Sequence, residues 1–521
     1  MAGIPADKLK SRVTLANIGR KSFVTLRGLD AVLHELHEFG FIDDNAIKGT
    51  ARRSIKRARH LEFADPTCYG LIVRTIPFPG KLKPGSPSTF NLSYVHPLAA
   101  FRHACDVSEM FRQHVQRQFA QKPSAPDQPW NIVLYTDEIT CGDPRSRNTL
   151  KMMAVYWTFK ELGSRSLCNE YHWFLLTATD ADNIKCIDGG MSAFAKHLLL
   201  LFFQEPNSLS VNGMVVADLV IFAIVGVHCS DLPALKAVLE MKGHGGLVPC
   251  LCCRFTTADT RMAVGVIQDI TNTDLSLHVQ HDDASVHAQV DNLRDCKARL
   301  GPEDFKRQEM AVGLNYVENG VLCCNELRNV FPPVSSLMYD WMHIYIVNGL
   351  WNCELGLLLG VLFRIVGIKF TVLHEFIQTF TWPLKFNAKD IKSVFARKTF
   401  VTKGDVTASA SEALSVYNVV RLFLIMQVMR PRMNETLRAA CISYFALCSV
   451  LDLLSSFDSI DPNTLHDRIK RHIDMFKLVY GEEEFHPKHH FALHLPSMLA
   501  HHKALSQLFQ VQKLSTYGAH N

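Results

Sequence analysis

The hydrophobic pattern becomes strand-like at about Trp130. Short apolar runs bounded by turn residues follow at residues 132–135, 152–159 and 173–178. Such runs are typical of buried strands. A helix is predicted over residues 191–203, and the apolar stretch 213–227 predicts one further strand. Three strands, a helix and another strand indicate a mixed α/β layer.

The regions on either side of these strands predict mainly helix. Residues 1–125 are interpreted as a helical leader, and a proline-rich linker at 122–129 separates it from the first strand. Beyond Arg254 the pattern is mostly helical, including residues 414–429 and 435–457. We therefore expect four regions: the leader, a first core part over 130–253, a helical insertion over 254–400, and a core-completing helix with a helical C-terminal region over 401–521.

Composition narrows the class of protein. The chain has 521 residues, of which 48% are hydrophobic and 20% charged, so an ordered protein with two or three domains, or one domain with a large insertion, is expected. Fifteen cysteines without regular spacing, and an N-terminal stretch without the apolar core of a secretion signal, favour a reducing compartment over secretion. The most apolar long segment, 344–370, contains polar and charged residues and is interpreted as buried helix rather than a membrane span.

A cluster of basic residues in the leader could contact DNA. Six cations lie between residues 48 and 60, and four of them are candidate phosphate contacts: Arg52, Arg53, Lys56 and Arg57. A solvated surface helix is the alternative, because the net charge of +5 is itself weak evidence for a polyanionic partner.

Two aspartates follow predicted strands. Asp137 comes after residues 132–135, and Asp231 comes after residues 213–227. Carboxylates at the ends of separate strands are a common arrangement for metal-dependent phosphoryl chemistry. The structural alternatives are that Asp137 caps the following turn and that Asp231 is the N-cap of a helix with Pro233 at its second position.

Cysteine and histidine spacing suggests a second kind of metal site. Cys250 and Cys253 have the C-x₂-C spacing that suits zinc, with buried free thiols as the alternative. One pair supplies two ligands, and the candidates for the others are His343, Cys323 and Cys324. Asp340 and His343 are three residues apart and would share a helix face.

The segment 486–496 contains four histidines and Lys488. Its histidines are interpreted as solvated or core residues rather than metal ligands.

These stretches together resemble the DDE transposases of the CACTA (En/Spm) and Plavaka-like, Kyakuja-Dileera-Zisupton group. The matching stretches occur in the family's order: residues 134–140, 231–234 with 242–245 and the cysteine pair, 339–343, 408–412 and 486–496. The resemblance implies a ribonuclease-H-like mixed sheet core with a large, mainly helical insertion.

The resemblance also implies residue roles. It assigns Asp137, Asp231 and Glu412 as the catalytic, metal-binding acids, with Asp405 and Glu354 as alternatives for the third. Asp340, His343, Lys488 and His489 belong to family motifs without an assigned role.

The implied activity is cleavage and transfer of DNA strands with Mg²⁺ or Mn²⁺, and a structural zinc is a candidate. The implied partners are transposon ends, target DNA and further copies of the chain in a homo-oligomer, in the nucleus and without a membrane. Gly142 and Asp143 stand where relatives often carry Gly-Asn, relatives commonly continue further past residue 496, and no N-terminal zinc finger or helix-turn-helix is recognisable. These departures leave open an active transposase or a decayed or repurposed copy.

Two other hypotheses are compatible with the sequence. One is a non-catalytic DNA- or chromatin-binding protein that kept the transposase fold. The other is an unrelated helical scaffold with a structural zinc at Cys250 and Cys253, in which the acids do not converge.

Overall fold

The computed structural model describes most of the chain from Pro66 to Lys503. The described residues are 66–80, 89–141, 150–204, 206–242, 246–257, 266–368, 370–382, 406, 408–429, 433–456 and 460–503. The candidate DNA contacts Arg52, Arg53, Lys56 and Arg57 lie outside this part, as do Gly142, Asp143 and Asp405.

The strands, in chain order, are β1 (Val73–Pro79), β2 (Thr89–Val95), β3 (Trp130–Cys141), β4 (Leu150–Phe159), β5 (Phe174–Asp180), β6 (Met214–Val216), β7 (Leu219–Ile221), β8 (Ala223–Ser230), β9 (Phe255–Thr256), β10 (Val266–Ile267) and β11 (Leu337–Tyr339).

The α-helices are α1 (Pro97–Val107), α2 (Glu109–Gln121), α3 (Ser164–Leu167), α4 (Ala181–Cys186), α5 (Gly190–Phe203), α6 (Leu232–Val238), α7 (Asp283–Arg299), α8 (Pro302–Val312), α9 (Trp341–Tyr345), α10 (Leu350–Val361), α11 (Phe370–Thr379), α12 (Ala410–Phe423), α13 (Glu435–Leu454), α14 (Pro462–Tyr480) and α15 (Pro487–His502). Both α10 and α12 continue into a short π-helical segment, Leu362–Val366 and Leu424–Val428.

A five-stranded mixed sheet organises the molecule, in the order β11-β8-β3-β4-β5. Strands β3, β4 and β5 are antiparallel neighbours, as expected for strands joined by short connections. On the other side of β3, strand β8 runs parallel to it, and β11 runs parallel to β8. The predicted mixed α/β layer is therefore confirmed.

One predicted strand is divided in the structure. The apolar stretch 213–227 forms the hairpin β6–β7 and then most of β8, instead of a single strand. The hairpin turns at Ala217 and Asp218, whose φ angles are 50° and 62°. Two consecutive residues with positive φ form the tight turns that connect antiparallel strands. Ala217 carries no turn signal in the sequence, so an apolar run conceals the break.

In the described residues, five strands lie in regions predicted to be helical: β1, β2, β9, β10 and β11. The leader contains the hairpin β1–β2 as well as α1 and α2, and the predicted insertion contributes β11 to the edge of the central sheet. Because β11 has only three residues, the apolar run that encodes it is too short to stand out from its helical surroundings.

The most apolar helices belong to a helical layer in the C-terminal half. In the described residues, Trp341–Arg364 and Glu435–Leu454 are long and apolar enough to cross a membrane, yet 56% and 61% of their most apolar windows are buried inside the protein. Glu354 is fully buried between them, accepting a hydrogen bond from Ser443 on α13 (2.6 Å) and lying 2.7 Å from His472 on α14. A buried carboxylate needs such partners, and its partners place Glu354 in the helical core.

Candidate functional site

Three aspartates stand in line at the carboxyl ends of the parallel strands. Thr136 of β3 is paired with Ser230 of β8, which is paired with Tyr339 of β11. The next residues are Asp137, Asp231 and Asp340, which we call the acid row. Neighbouring strands lie ~4.8 Å apart, and Asp231 and Asp340 keep an extended backbone, so the three side chains leave the sheet on the same face.

Helix caps fix two of these carboxylates. Asp231 is the N-cap of α6, where its Oδ1 accepts a hydrogen bond from the Ala234 N–H (2.7 Å), so the cap interpretation of this residue is confirmed. Asp340 caps α9 in the same way through Met342 (2.8 Å). Asp137 lies within β3, which continues to Cys141, rather than capping the turn. A cap and a metal ligand can be the same residue, because each carboxylate oxygen offers two lone pairs.

The acid row is electrostatically coupled to His343. Burial, with the negative charges of Asp231 and Asp340, raises the pKa of Asp137 to about 6, while His343 opposes the shift. Burial alone would lower the pKa of His343, but its hydrogen bond to Asp340 and the charges of all three aspartates together raise it above its ordinary value. The His343 Nδ1–Asp340 Oδ2 distance is 2.5 Å, and Asp340 is fully buried.

Lys488 holds the end of the helix that carries His343. Its Nζ donates hydrogen bonds to the backbone carbonyls of His343 (2.7 Å), Val347 (3.1 Å) and Asn348 (2.8 Å). His343 lies in α9, and the other two residues follow this helix. A cation at these carbonyls satisfies acceptors that a short helix leaves unpaired. Burial lowers the pKa of Lys488 to about 8, although the charge of Asp340 opposes this. Lys488 thus connects α15 to the acid row.

Glu412 occupies a different position. It is the third residue of α12 and forms a capping box with Ser409, whose N–H donates to the Glu412 carboxylate at 2.7 Å. The structure therefore brings Asp137 and Asp231 together with Asp340 and His343, whereas the hydrogen bonds of Glu412 are made to Ser409. The assignment of Glu412 as the third catalytic acid stays a prediction.

A second cluster lies on the opposite side of β11. Cys250, Cys253, His490 and His494 are buried, and their ligand atoms all lie within 4.8 Å of one another; we call this set the Cys2His2 cluster. Both thiol sulfurs are 3.4 Å from His494 Nε2, which is 3.2 Å from His490 Nε2. Tetrahedral zinc would place sulfur and nitrogen ligands ~3.6 Å apart and two nitrogens ~3.3 Å apart. The cluster fits a metal ion.

The pKa shifts in the cluster favour one thiolate and a neutral imidazole. Burial opposes ionisation of Cys250, but its contacts with Cys252 and Cys253 and the nearby His494 lower the pKa of its thiol well below the ordinary value, whereas the interaction with Cys250 and burial raise the pKa of the Cys253 thiol. Burial lowers the pKa of His490, which favours the neutral imidazole. A thiolate and a neutral imidazole are the forms that bind metals.

The two histidines of the cluster are not the residues that were predicted from the sequence as further metal ligands. They come from the segment 486–496, interpreted as solvated or core histidines, and not from His343, Cys323 or Cys324. His343 is bonded to Asp340, and Cys324 to Glu326. His490 and His494 are one turn apart on α15, so they share a face. Their H-x₃-H spacing, typical of zinc ligands, was the available signal.

His489 is not part of the Cys2His2 cluster. It is buried between Phe476 and Phe485, and its Nδ1 accepts a hydrogen bond from the His486 N–H (3.0 Å). This is the core-histidine interpretation, and burial holds its pKa well below the ordinary range.

We expect the purified full chain to contain about one zinc ion held by the Cys2His2 cluster. Cys250→Ser and His494→Ala should each weaken zinc binding roughly 100-fold, because about 10–16 kcal/mol of binding free energy is shared among four ligands. Elemental analysis and competition with a chromophoric chelator measure this. Cys441→Ser, at a buried thiol on α13, is the control. Unchanged zinc affinity in Cys250→Ser would contradict the assignment.

Asp137→Asn should stabilise the zinc-loaded protein in the absence of Mg²⁺ and Mn²⁺. Because the folded pKa of about 6 lies above the ordinary 3.8, the folded state holds this proton more tightly, and that stability is lost as pH rises through 6. The substitution should add up to about 3 kcal/mol at pH 7.5 and roughly half of that at pH 5.

Denaturant unfolding at the two pH values measures this gain, with the exposed Asp295→Asn on α7 as the control. A loss of stability in Asp137→Asn at pH 7.5 would show that burial and the neighbouring aspartates do not destabilise the ionised carboxylate.

The chain matches no known family model and no curated protein. Its interpretation therefore depends on the geometry of the acid row and the Cys2His2 cluster.

Proposed function

We propose that the protein is a transposon-derived DDE-type transposase that cleaves and transfers DNA strands with divalent metal ions. The observation that carries this proposal is the acid row, in which the register of three parallel strands aligns Asp137, Asp231 and Asp340. The family resemblance assigns catalytic roles to Asp137 and Asp231, and Asp340 belongs to another motif of the same family. The hypothesis of an unrelated scaffold with scattered acids is disfavoured by this alignment.

The sheet is compatible with a ribonuclease-H-like core. Three antiparallel strands are followed by two strands that run parallel to the first, and the first acid lies on the central strand β3. The longest elements in the described part of the segment between Asp231 and β11 are the helices α7 and α8. This arrangement supports the proposed core with a helical insertion.

The acid row suits Mg²⁺ or Mn²⁺. Its donors are carboxylate oxygens, the ligands that these hard cations prefer. Burial, together with the negative charges of Asp231 and Asp340, raises the pKa of Asp137, and a bound cation would favour its ionised form. When bound, such ions activate water or a 3′-hydroxyl and stabilise the leaving oxygen of a phosphodiester. Asp137 and Asp231 would hold the ions, and His343 fixes the orientation of Asp340 through their hydrogen bond.

The third metal-binding acid has two candidates. The geometry favours Asp340, which stands beside Asp231 in the sheet, whereas the resemblance favours Glu412 on α12. The two residues are on different elements, so separate substitutions distinguish them.

We further infer that the Cys2His2 cluster holds a structural zinc ion. Four protein ligands close the coordination sphere, which is typical of structural rather than catalytic zinc. The ion would tie the segment after α6 to α15. Binding of DNA, through the basic residues around Arg52 and Lys56, a nuclear location and assembly into a homo-oligomer belong to the same proposal.

The zinc-loaded full chain should nick supercoiled DNA and cleave labelled duplex DNA with Mn²⁺ or Mg²⁺. Asp231→Asn should lower the rate about 100-fold or more, because bound metal ions supply several kcal/mol of transition-state stabilisation. A comparable loss in Asp340→Asn but not in Glu412→Gln would assign the third acid to the row, and the reverse would assign it to α12. Asp295→Asn is again the control.

Equal cleavage by wild type and Asp231→Asn would reject the assigned site. DNA binding by the wild type without cleavage under either metal would favour the alternative, a non-catalytic DNA- or chromatin-binding protein that kept the fold.

A further inference from the structure

One face of α15 contacts both the Cys2His2 cluster and the edge of the sheet. Residues at four-residue intervals share this face: His490, His494, Met498 and His502. The first two are cluster ligands. Met498 Sδ accepts a hydrogen bond from the Tyr339 N–H (3.3 Å), and His502 Nε2 lies 3.0 Å from the Leu337 carbonyl oxygen. The helix therefore binds the outer backbone edge of β11, whose other edge pairs with β8.

The Tyr339 hydroxyl makes a direct contact between β11 and the cluster. It lies 3.4 Å from Cys250 Sγ, and Cys252 Sγ donates to the same hydroxyl oxygen at 4.0 Å. The Tyr339 side chain is buried, and its ring packs on Phe491 with the centroids 5.2 Å apart. The hydroxyl is thus enclosed, with thiols as its polar neighbours.

The direction of the hydrogen bond follows from metal chemistry. A cysteine that binds a metal ion is a thiolate and has no proton to donate. With Cys250 as a ligand, the donor must be the Tyr339 hydroxyl. Cys252, which is not in the cluster, keeps its proton and donates to Tyr339. The three groups then form a chain from Cys252 through Tyr339 to Cys250.

Tyr339 is also the residue before Asp340. Successive residues of an extended strand point to opposite faces, so Tyr339 reaches the cluster while Asp340 belongs to the acid row. Strand β11 ends at Tyr339, directly before Asp340, and has three residues and one neighbouring strand. A displacement of Tyr339 would therefore displace Asp340.

We propose that Tyr339 is a positioning residue that couples the Cys2His2 metal centre to the acid row by donating a hydrogen bond to the Cys250 thiolate. The inference rests on the proposed function, which places metal ions at both sites. When a metal ion is bound in the cluster, Cys250 is a thiolate and can only accept a hydrogen bond. The hydrogen bond from Tyr339 then fixes the position of β11 relative to the cluster. Because Asp340 follows Tyr339, it is kept in register with Asp231. Hydrogen bonds around metal ligands commonly orient a site in this way.

The first test is spectroscopic and uses the full chain with Co²⁺ in place of zinc. A hydrogen bond to a thiolate withdraws charge from the sulfur and raises the energy of the sulfur-to-cobalt charge-transfer band. Tyr339→Phe should shift this band to longer wavelength and weaken Co²⁺ binding about 10-fold. Tyr345→Phe is the matched control, since Tyr345 is also fully buried and its hydroxyl makes no hydrogen bond to the described residues.

The second test measures Mn²⁺ binding at the acid row by electron paramagnetic resonance in the zinc-loaded protein. Tyr339→Phe should weaken Mn²⁺ binding several-fold, although it removes no carboxylate, and Tyr345→Phe should leave it unchanged. Coupling between sites is reciprocal, so removing zinc from the wild type should weaken Mn²⁺ binding as well, with a smaller further loss in Tyr339→Phe.

The outcomes separate this inference from the proposed function. Wild-type Mn²⁺ binding that Asp231→Asn abolishes, together with a cobalt spectrum unchanged by Tyr339→Phe, would overturn the role of Tyr339 and leave the acid row standing. A cobalt band shifted by Tyr339→Phe, with no Mn²⁺ bound by the wild type, would support the hydrogen bond and reject the proposed catalytic site along with the coupling. Failure of the wild type to bind Co²⁺ would overturn the inference outright.

Discussion

The register between β3, β8 and β11 is the constraint on which the candidate site depends. Side chains alternate along a strand, so a slip of one residue in either pairing would move an aspartate to the other face of the sheet. Strand β3 is secured on both sides by long pairings, with β4 and β8. Strand β11 is the vulnerable member, because it pairs over three residues and lies at the sheet edge.

Helix α15 compensates for the shortness of β11. Met498 and His502 satisfy backbone groups on the outer edge of the strand, and Lys488 binds carbonyls at the end of α9, directly after the acid row. The same helix carries His490 and His494 of the Cys2His2 cluster. A metal ion in that cluster would contribute folding free energy to the helix that secures the strand. The acid row and the Cys2His2 cluster therefore depend on the same helix, α15, and are not structurally independent.

The sequence predicted those strands and helices that are encoded by long, continuous hydrophobic patterns. The runs that became β3, β4 and β5 and the helix α5 were predictable from hydrophobicity alone, and Pro233 after Asp231 indicated the helix start. The family resemblance singled out Asp137, Asp231 and the segment of Asp340 and His343.

The features that could not be predicted from the sequence depend on contacts between residues that are distant along the chain. The alignment of Asp340 with Asp231 is set by the pairing of β11 with β8, which no window of sequence contains. His490 and His494 lie more than two hundred residues from Cys250, and histidines on an apolar helix are ambiguous until a thiol is placed beside them. The hairpin at Ala217 and Asp218 is hidden because backbone angles, not composition, break the run.

The most direct test of the account is anomalous X-ray diffraction from crystals of the zinc-loaded protein soaked in Mn²⁺. Data at the zinc edge should give a peak among Cys250, Cys253, His490 and His494. Data optimised for manganese should give a separate peak between the carboxylates of Asp137, Asp231 and Asp340. A Cys2His2 peak with no manganese at the strand ends, or with the three carboxylates turned away from one another, would contradict the account.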